Sequence, residues 1–165
     1  MEKTPWTKNK KLISGFFLLS MFFVPLSAAQ SPVALSSGGT VYVSVYSHIY
    51  SGPKPLVYQL AAILSIRNTD LTGNIKIIKA DYYDTQGQLV KKYITEPFEL
   101  GPLVSKYYYI KERDKTGGEG ANFIVKWIST KKVNQPVIEA VMLGLSHGQG
   151  LSFICPGKNI VEHMD

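Results

Sequence analysis

The sequence predicts an all-β chain, folded as an antiparallel β-sandwich of immunoglobulin-like type. Three observations lead there. Short runs dense in β-branched and aromatic residues recur at about 8–12-residue spacing from Thr40 to Ile154, the rhythm of a sandwich or barrel. Turn compositions rich in Gly, Pro, Asn and Asp separate those runs. No stretch beyond Thr40 sustains the apolar period of a helix. The Cys–Trp–Cys pattern of antibody domains is missing, since the chain has one Cys, so the prediction concerns architecture alone.

The elements follow in order. Thr40 to Tyr46 is Val- and Tyr-rich and suits a pleated surface. Ser51 to Pro55 is a loop by its glycine and prolines. Leu56 to Asn68 is the next strand; Leu60 to Leu64 has helix-compatible composition but no convincing N-cap, and it ends in the turn residues Asn68-Thr69-Asp70. Ile75 to Tyr83 alternates Ile75, Ile77, Lys79, Asp81 and Tyr83 against Lys76, Ile78, Ala80 and Tyr82. Asp84 to Gly87 turns the chain and Gln88 to Ile94 returns it, so Ile75 to Ile94 is a predicted hairpin. Pro97 to Pro102 is a loop, and Leu103 to Lys111, with Tyr107-Tyr108-Tyr109, is a strand. After a glycine loop from Lys115 to Gly120, Asn122 to Ser129 sets Phe123, Val125 and Trp127 on one side, predicted to face the interior. A polar turn from Lys131 to Pro136 leads to Val137–Leu145 and Leu151–Ile154, which complete about eight strands.

The first residues belong to targeting and not to the fold. Lys8, Lys10 and Lys11 precede an uncharged apolar run from Leu12 to Leu26, and Ser27-Ala28-Ala29 offers small residues to a signal peptidase. The run is shorter than the roughly 18–20 residues of a bilayer-spanning helix. The expected organisation is a signal peptide over 1–29, a flexible leader over 30–39, and a single sandwich domain over 40–162, in a periplasmic or extracellular protein. The membrane enters only if that peptide stays uncleaved. Its removal takes four of the 18 basic and one of the 12 acidic residues, so the net charge of +6 becomes +3. That balance supports no nucleic-acid partner.

Composition narrows the chemistry. One Cys excludes a disulfide framework or a zinc site of several thiolates. The three His are scattered, and no catalytic signature such as G-x-S-x-G or H-E-x-x-H occurs. His48 lies beside a predicted strand without a recognisable base or nucleophile. Cys155, His163, Met164 and upstream His48 stand in the order of blue-copper ligands, but seven residues separate Cys155 from His163, and His163 lies two residues from the end. Cys155 is expected as a small buried thiol at a strand end, largely unreactive and forming no covalent dimer. The glycines of Gly117 to Gly120 precede a strand and lack the Lys-Ser/Thr of a phosphate loop. Glu139, in an otherwise apolar strand, faces solvent or pairs with Arg67 or Lys126. Ten Tyr exceed the needs of a core and suit a surface that meets sugar or protein.

Several segments resemble, in order, the bacterial family known as domain of unknown function 3124. They are Val41 to His48, Leu64 to Asp70, Asp81 to Gly87, Gly117 to Val125, Trp127, Ile138 to Met142 and Gly148 to Phe153. The resemblance runs from about Thr40 to Ile160 and implies an exported bacterial protein, without supplying catalytic residues.

The functional expectation is a non-enzymatic exported binding or structural module with no cofactor. Its partner is another envelope protein or a cell-surface polymer. The expected binding residues are Arg67, Asn68, Asp81, Tyr82, Gly118 and Asn122, polar or turn positions inside the family-like segments. The alternative is a small periplasmic copper-handling protein using His48, Cys155 and His163.

Overall fold

The computed structural model of the chain describes residues 34–146 and 148–161. The predicted signal peptide and His163 lie outside them. Twelve strands and no helix occur among the described residues: β1 (Ser36–Ser44), β2 (His48–Ser51), β3 (Leu56–Gln59), β4 (Ala61–Arg67), β5 (Ile75–Tyr83), β6 (Leu89–Lys92), β7 (Phe98–Leu100), β8 (Ser105–Ile110), β9 (Asn122–Val133), β10 (Val137–Ser146), β11 (Gln149–Pro156) and β12 (Lys158–Ile160).

A six-stranded sheet runs β12-β1-β9-β5-β6, with β7 also paired to β5, and a four-stranded sheet runs β11-β10-β4-β8. β2 and β3 form a separate hairpin. Every pairing is antiparallel. The inward residues of both main sheets meet in one apolar cluster, so the chain is an all-β sandwich. The pairs β4–β8 and β5–β9 match the B–E and C–F pairs of an immunoglobulin sandwich, but the flanking strands are exchanged: β1 lies beside β9, and β10 beside β4.

The alternation in β9 sets the core. Phe123, Val125 and Trp127 are all buried, as their spacing predicts. Leu64 and Ile66 of β4 and Ala140 and Met142 of β10 are buried in the same core. Tyr82 lies among them, with ring centroids 5.1 Å from Phe123 and 6.4 Å from Tyr93. The predicted Ile75–Ile94 hairpin is present as β5 and β6, with Gly87 at φ 77° in its turn.

The alternation in β5 does not hold to its end. A bulge between Ile77 and Lys79 inserts Ile78 and reverses the later residues. Ile75, Ile77, Ala80 and Tyr82 are therefore the buried apolar set, and Lys79 and Tyr83 fall on the outward side with Asp81.

Several boundaries also differ from expectation. The strand expected from Thr40 begins at Ser36, inside the segment read as a flexible leader, because Ser36, Gly38 and Gly39 pair with Val133, Ile128 and Trp127. Small residues fit there: a Cβ on Gly39 would stand 3.3 Å from the Trp127 indole nitrogen. The run Leu56–Asn68 divides at buried Leu60, whose N–H donates to the Ser47 carbonyl at 3.0 Å. The loop expected over Pro97–Pro102 holds β7, and β9 continues to Val133 before the polar turn begins. β2 and β12 are too short for alternation to reveal them. Gly157 carries the chain from β11 in one sheet to β12 in the other, and a Cβ there would strike the Ile138 carbonyl oxygen.

Candidate functional site

The two sheets share a core but present unlike outer faces. β10 is apolar on both sides: Ile138, Ala140 and Met142 are buried, and Val137, Val141, Leu143 and Leu145 point outward. Register aligns Ile154, Val141, Ile63 and Tyr109 in one row across all four strands. A second row holds Pro156, Glu139, Ser65 and Tyr107. The exposed fraction is 68% for Leu145, 70% for Tyr107 and 57% for Ile154. Two open grooves indent this face. One, of about 520 Å³, is lined by Ala61, Tyr109, Glu112, Leu143, Leu145 and Leu151, among others. The other, of about 370 Å³, includes Ile63, Ser65, Arg67, Lys106, Tyr107 and Val141.

The outer face of the six-stranded sheet is charged. Lys158, Tyr42, Ile124, Asp81 and Lys92 make one row, and Thr40, Lys126 and Lys79 the next. Lys79 Nζ lies 3.6 Å from an Asp81 carboxylate oxygen and 5.9 Å from the Tyr83 ring centroid. Two lysines opposite one another repel, and Asp81 of the adjacent row offsets part of that repulsion.

The six residues expected to bind do not form one site. Arg67, at the end of β4, is exposed and lines the smaller apolar groove, its Nε donating to Ser65 Oγ at 3.0 Å. Asn68 is buried. Its amide nitrogen donates to the carbonyls of Gly73, Leu100 and Gly101 at 2.8, 3.1 and 2.9 Å, which makes it a clamp between loops. Asp81 lies on the opposite outer face, almost covered, beside Lys79. Tyr82 is inside the core, and burial pushes its phenol above the usual range. Gly118 shapes the loop before β9 with φ 75°, and its carbonyl accepts from the Ser47 N–H at 2.9 Å. Asn122, half-buried, opens β9 between Ser44 and Tyr83. Arg67 and Asn68 adjoin the start of β5 and Asn122 pairs at its end, about 25 Å away at strand rise.

Of the tyrosine triplet, Tyr107 and Tyr109 are exposed on the apolar face, and Tyr108 turns inward against Tyr93 at 5.4 Å. Burial raises Tyr93 to about 12, with Asp114 adding to the shift. Glu139 points outward, half-buried, in the row with Tyr107. His48 Nε2 stands 3.3 Å from the Tyr50 hydroxyl and 3.9 Å from a Glu119 carboxylate oxygen. Cys155 is partly buried on β11, and burial pushes its thiol up, toward the unreactive form. No group of three or more His, Cys, Asp or Glu among the described residues could hold a metal ion.

Two features escaped the sequence reading. Asp70, beside Asn68, accepts from the N–H groups of Asn134, Thr72 and Gly73 at 2.8, 2.9 and 2.6 Å. Those bonds hold its carboxyl at about 2, below the ordinary 3.8, with Lys131 helping. The apolar outer face also went unseen, although its signal is in the sequence. Val137 to Leu145 carries apolar residues at both parities, where a half-solvated strand shows them at one.

A model of the family described as Protein of unknown function (DUF3124) matches residues 38–160. No curated protein matches the chain. Among solved structures, a crystal structure of Thermotoga maritima 1070 is similar at 13% identity, covering 73% of this chain and 92% of that chain, with a TM-score of 0.44.

Proposed function

We propose, for a chain that belongs to the DUF3124 family, a role as an exported, non-enzymatic binding module that docks an envelope protein on the outer face of its four-stranded sheet. One observation carries this reading: Tyr107, Tyr109, Val141, Leu143, Leu145 and Ile154 lie together on a strand-supported face open to solvent. A contiguous apolar surface of this kind lowers solubility unless a partner covers it. Its composition favours a protein partner, because aromatic and aliphatic side chains in the middle, with Arg67, Lys106 and Glu112 around them, repeat the core and rim of protein interfaces. The amino-terminal targeting pattern supports an encounter outside the cytoplasm.

Photo-crosslinkers at Leu145 and Tyr107, with a control at Lys76 on the charged face, test the reading in the intact cell. The expected result is a discrete protein adduct from the first two positions only, diminished by Leu143→Asp. Adducts of equal strength from Lys76, or none from the apolar face, would overturn it, and carbohydrate adducts would point to a cell-surface polymer. Export has its own readout: the chain recovered outside the cytoplasm begins at or near Gln30, and an intact Met1 there would contradict cleavage.

A further inference from the structure

We propose that β11 is a self-association edge, through which two copies of this chain pair antiparallel and join their four-stranded sheets into one. The proposal does not rest on the partner proposed above. It starts from a difference among the strands that border the two main sheets. β8 carries Lys106, β6 ends in Lys91 and Lys92, β7 has three residues with Glu99, and β12 has three beginning with Lys158. Short length, charge and proline are devices that keep a sheet border from pairing with another chain. β11 is eight residues long, no charged residue occurs from Gln149 to Gly157, and its one proline, Pro156, stands at its last position, which leaves Gln149 to Cys155 without any of the three.

Among the described residues β11 pairs only with β10. In such a strand the backbone groups of alternate residues point away from the paired neighbour and need partners from water or from another strand. A second copy of β11 meets that need with its own matching row. Antiparallel pairing of a strand with itself is two-fold symmetric, so both copies use the same surface and the assembly closes as a dimer. Charge decides for the second copy over the other borders: self-pairing of β6 or β8 would bring lysines from two copies together, and self-pairing of β11 brings none.

A register centred on Ser152 sets Gly150 of one copy opposite Ile154 of the other. A Cβ on Gly150 would meet nothing within 4 Å, so the space beside it is open. Ile154 is exposed and lies next to Val141, so the apolar row of one copy would continue into the next. Phe153 and Cys155 pack against the core and stay out of the contact. The association is therefore non-covalent.

Light scattering on the exported protein across the micromolar range tests the proposal. The expected mass is that of a dimer, with Ser152→Lys weakening it at least about tenfold through two lysines at the symmetry axis, and Leu89→Lys, exposed on the β6 border of the other sheet, leaving it unchanged. Circular dichroism establishes that each variant is folded. A monomer at every concentration would overturn the proposal and leave the edge to a foreign extended segment. So would a Ser152→Lys dimer as tight as wild type, or equal dissociation by Leu89→Lys. If Ser152→Lys does not fold, deuterium exchange of the wild type decides. Exchange at Gly150, Ser152 and Ile154 slows with concentration if the edge is paired, and concentration-independent rates overturn the pairing.

Discussion

On β9, Ile124 and Lys126 look outward from the six-stranded sheet; on β10, Val141 and Leu143 look outward from the four-stranded sheet. Their inward neighbours are of one kind, Phe123 and Val125 against Ala140 and Met142, all fully buried. The difference lies entirely on the solvent side. A sandwich needs only its inner faces to be apolar, so the outer positions are free to diverge. One face took lysines, a tyrosine pair and Asp81, which keep it wet. The other kept aliphatic and tyrosine side chains that folding of the sandwich does not require. The proposed docking rests on that second apolar parity, because the core is already satisfied by the first.

The largest expected effect breaks both faces together. Trp127→Ala removes the bulkiest fully buried side chain and should lower stability by about 3–5 kcal/mol, measured by denaturant unfolding. Loss of the two faces in a single transition would show that they depend on one core, whereas separate transitions would show that each sheet stands alone.

The next effect lies in the corner that joins the sheets. Asn68→Ala withdraws one donor group from three carbonyls and should cost about 1–3 kcal/mol. Its neighbour Asp70 adds a pH signature. The carboxyl titrates at about 2 in the folded chain and near 3.8 when unfolded, so its contribution is complete above the unfolded value and disappears as pH falls through about 2. Melting temperatures of wild type and Asp70→Asn should therefore differ most at neutral pH and converge toward pH 2. A constant gap would show that Asp70 acts through something other than its charge.

The smallest effect separates the faces on a single strand. Leu145→Ser, outward on β10 and 68% exposed, should change stability by no more than about 0.5 kcal/mol. A loss of several kcal/mol would mean that Leu145 serves the fold, and the apolar face would lose its claim to be a binding surface.

Much of the fold was legible because strand alternation is local. The burial of Phe123, Val125 and Trp127 followed from spacing, as did the β5–β6 hairpin with its glycine turn. The leader boundary differs for a tertiary reason: Ser36 to Gly39 have no strand composition, and the chain pairs with β9 there because Gly38 and Gly39 leave room beside the Trp127 carbonyl and indole. The candidate site was less legible. Asn68 and Gly118 stand out in sequence as polar and turn residues, but their polar groups are committed to loop hydrogen bonds. Only Arg67, of the six, reaches the apolar face.

The sequence by itself determined that the chain is all β, where most strands lie, which side of β9 is buried, and that residues 38–160 form a DUF3124 domain. Tertiary structure alone decided which strands border the sheets, that β1 joins β9 and β10 joins β4, and that the Ile78 bulge turns Lys79 to the outer face and Tyr82 to the core. The physical reason is range. Alternation and turn chemistry act over a few residues, and a chain meets them wherever it folds. Which strand becomes a neighbour, and whether a row of apolar side chains is covered or bare, depends on contacts between residues far apart in sequence, such as Val141 with Ile63 and Tyr109 beyond it.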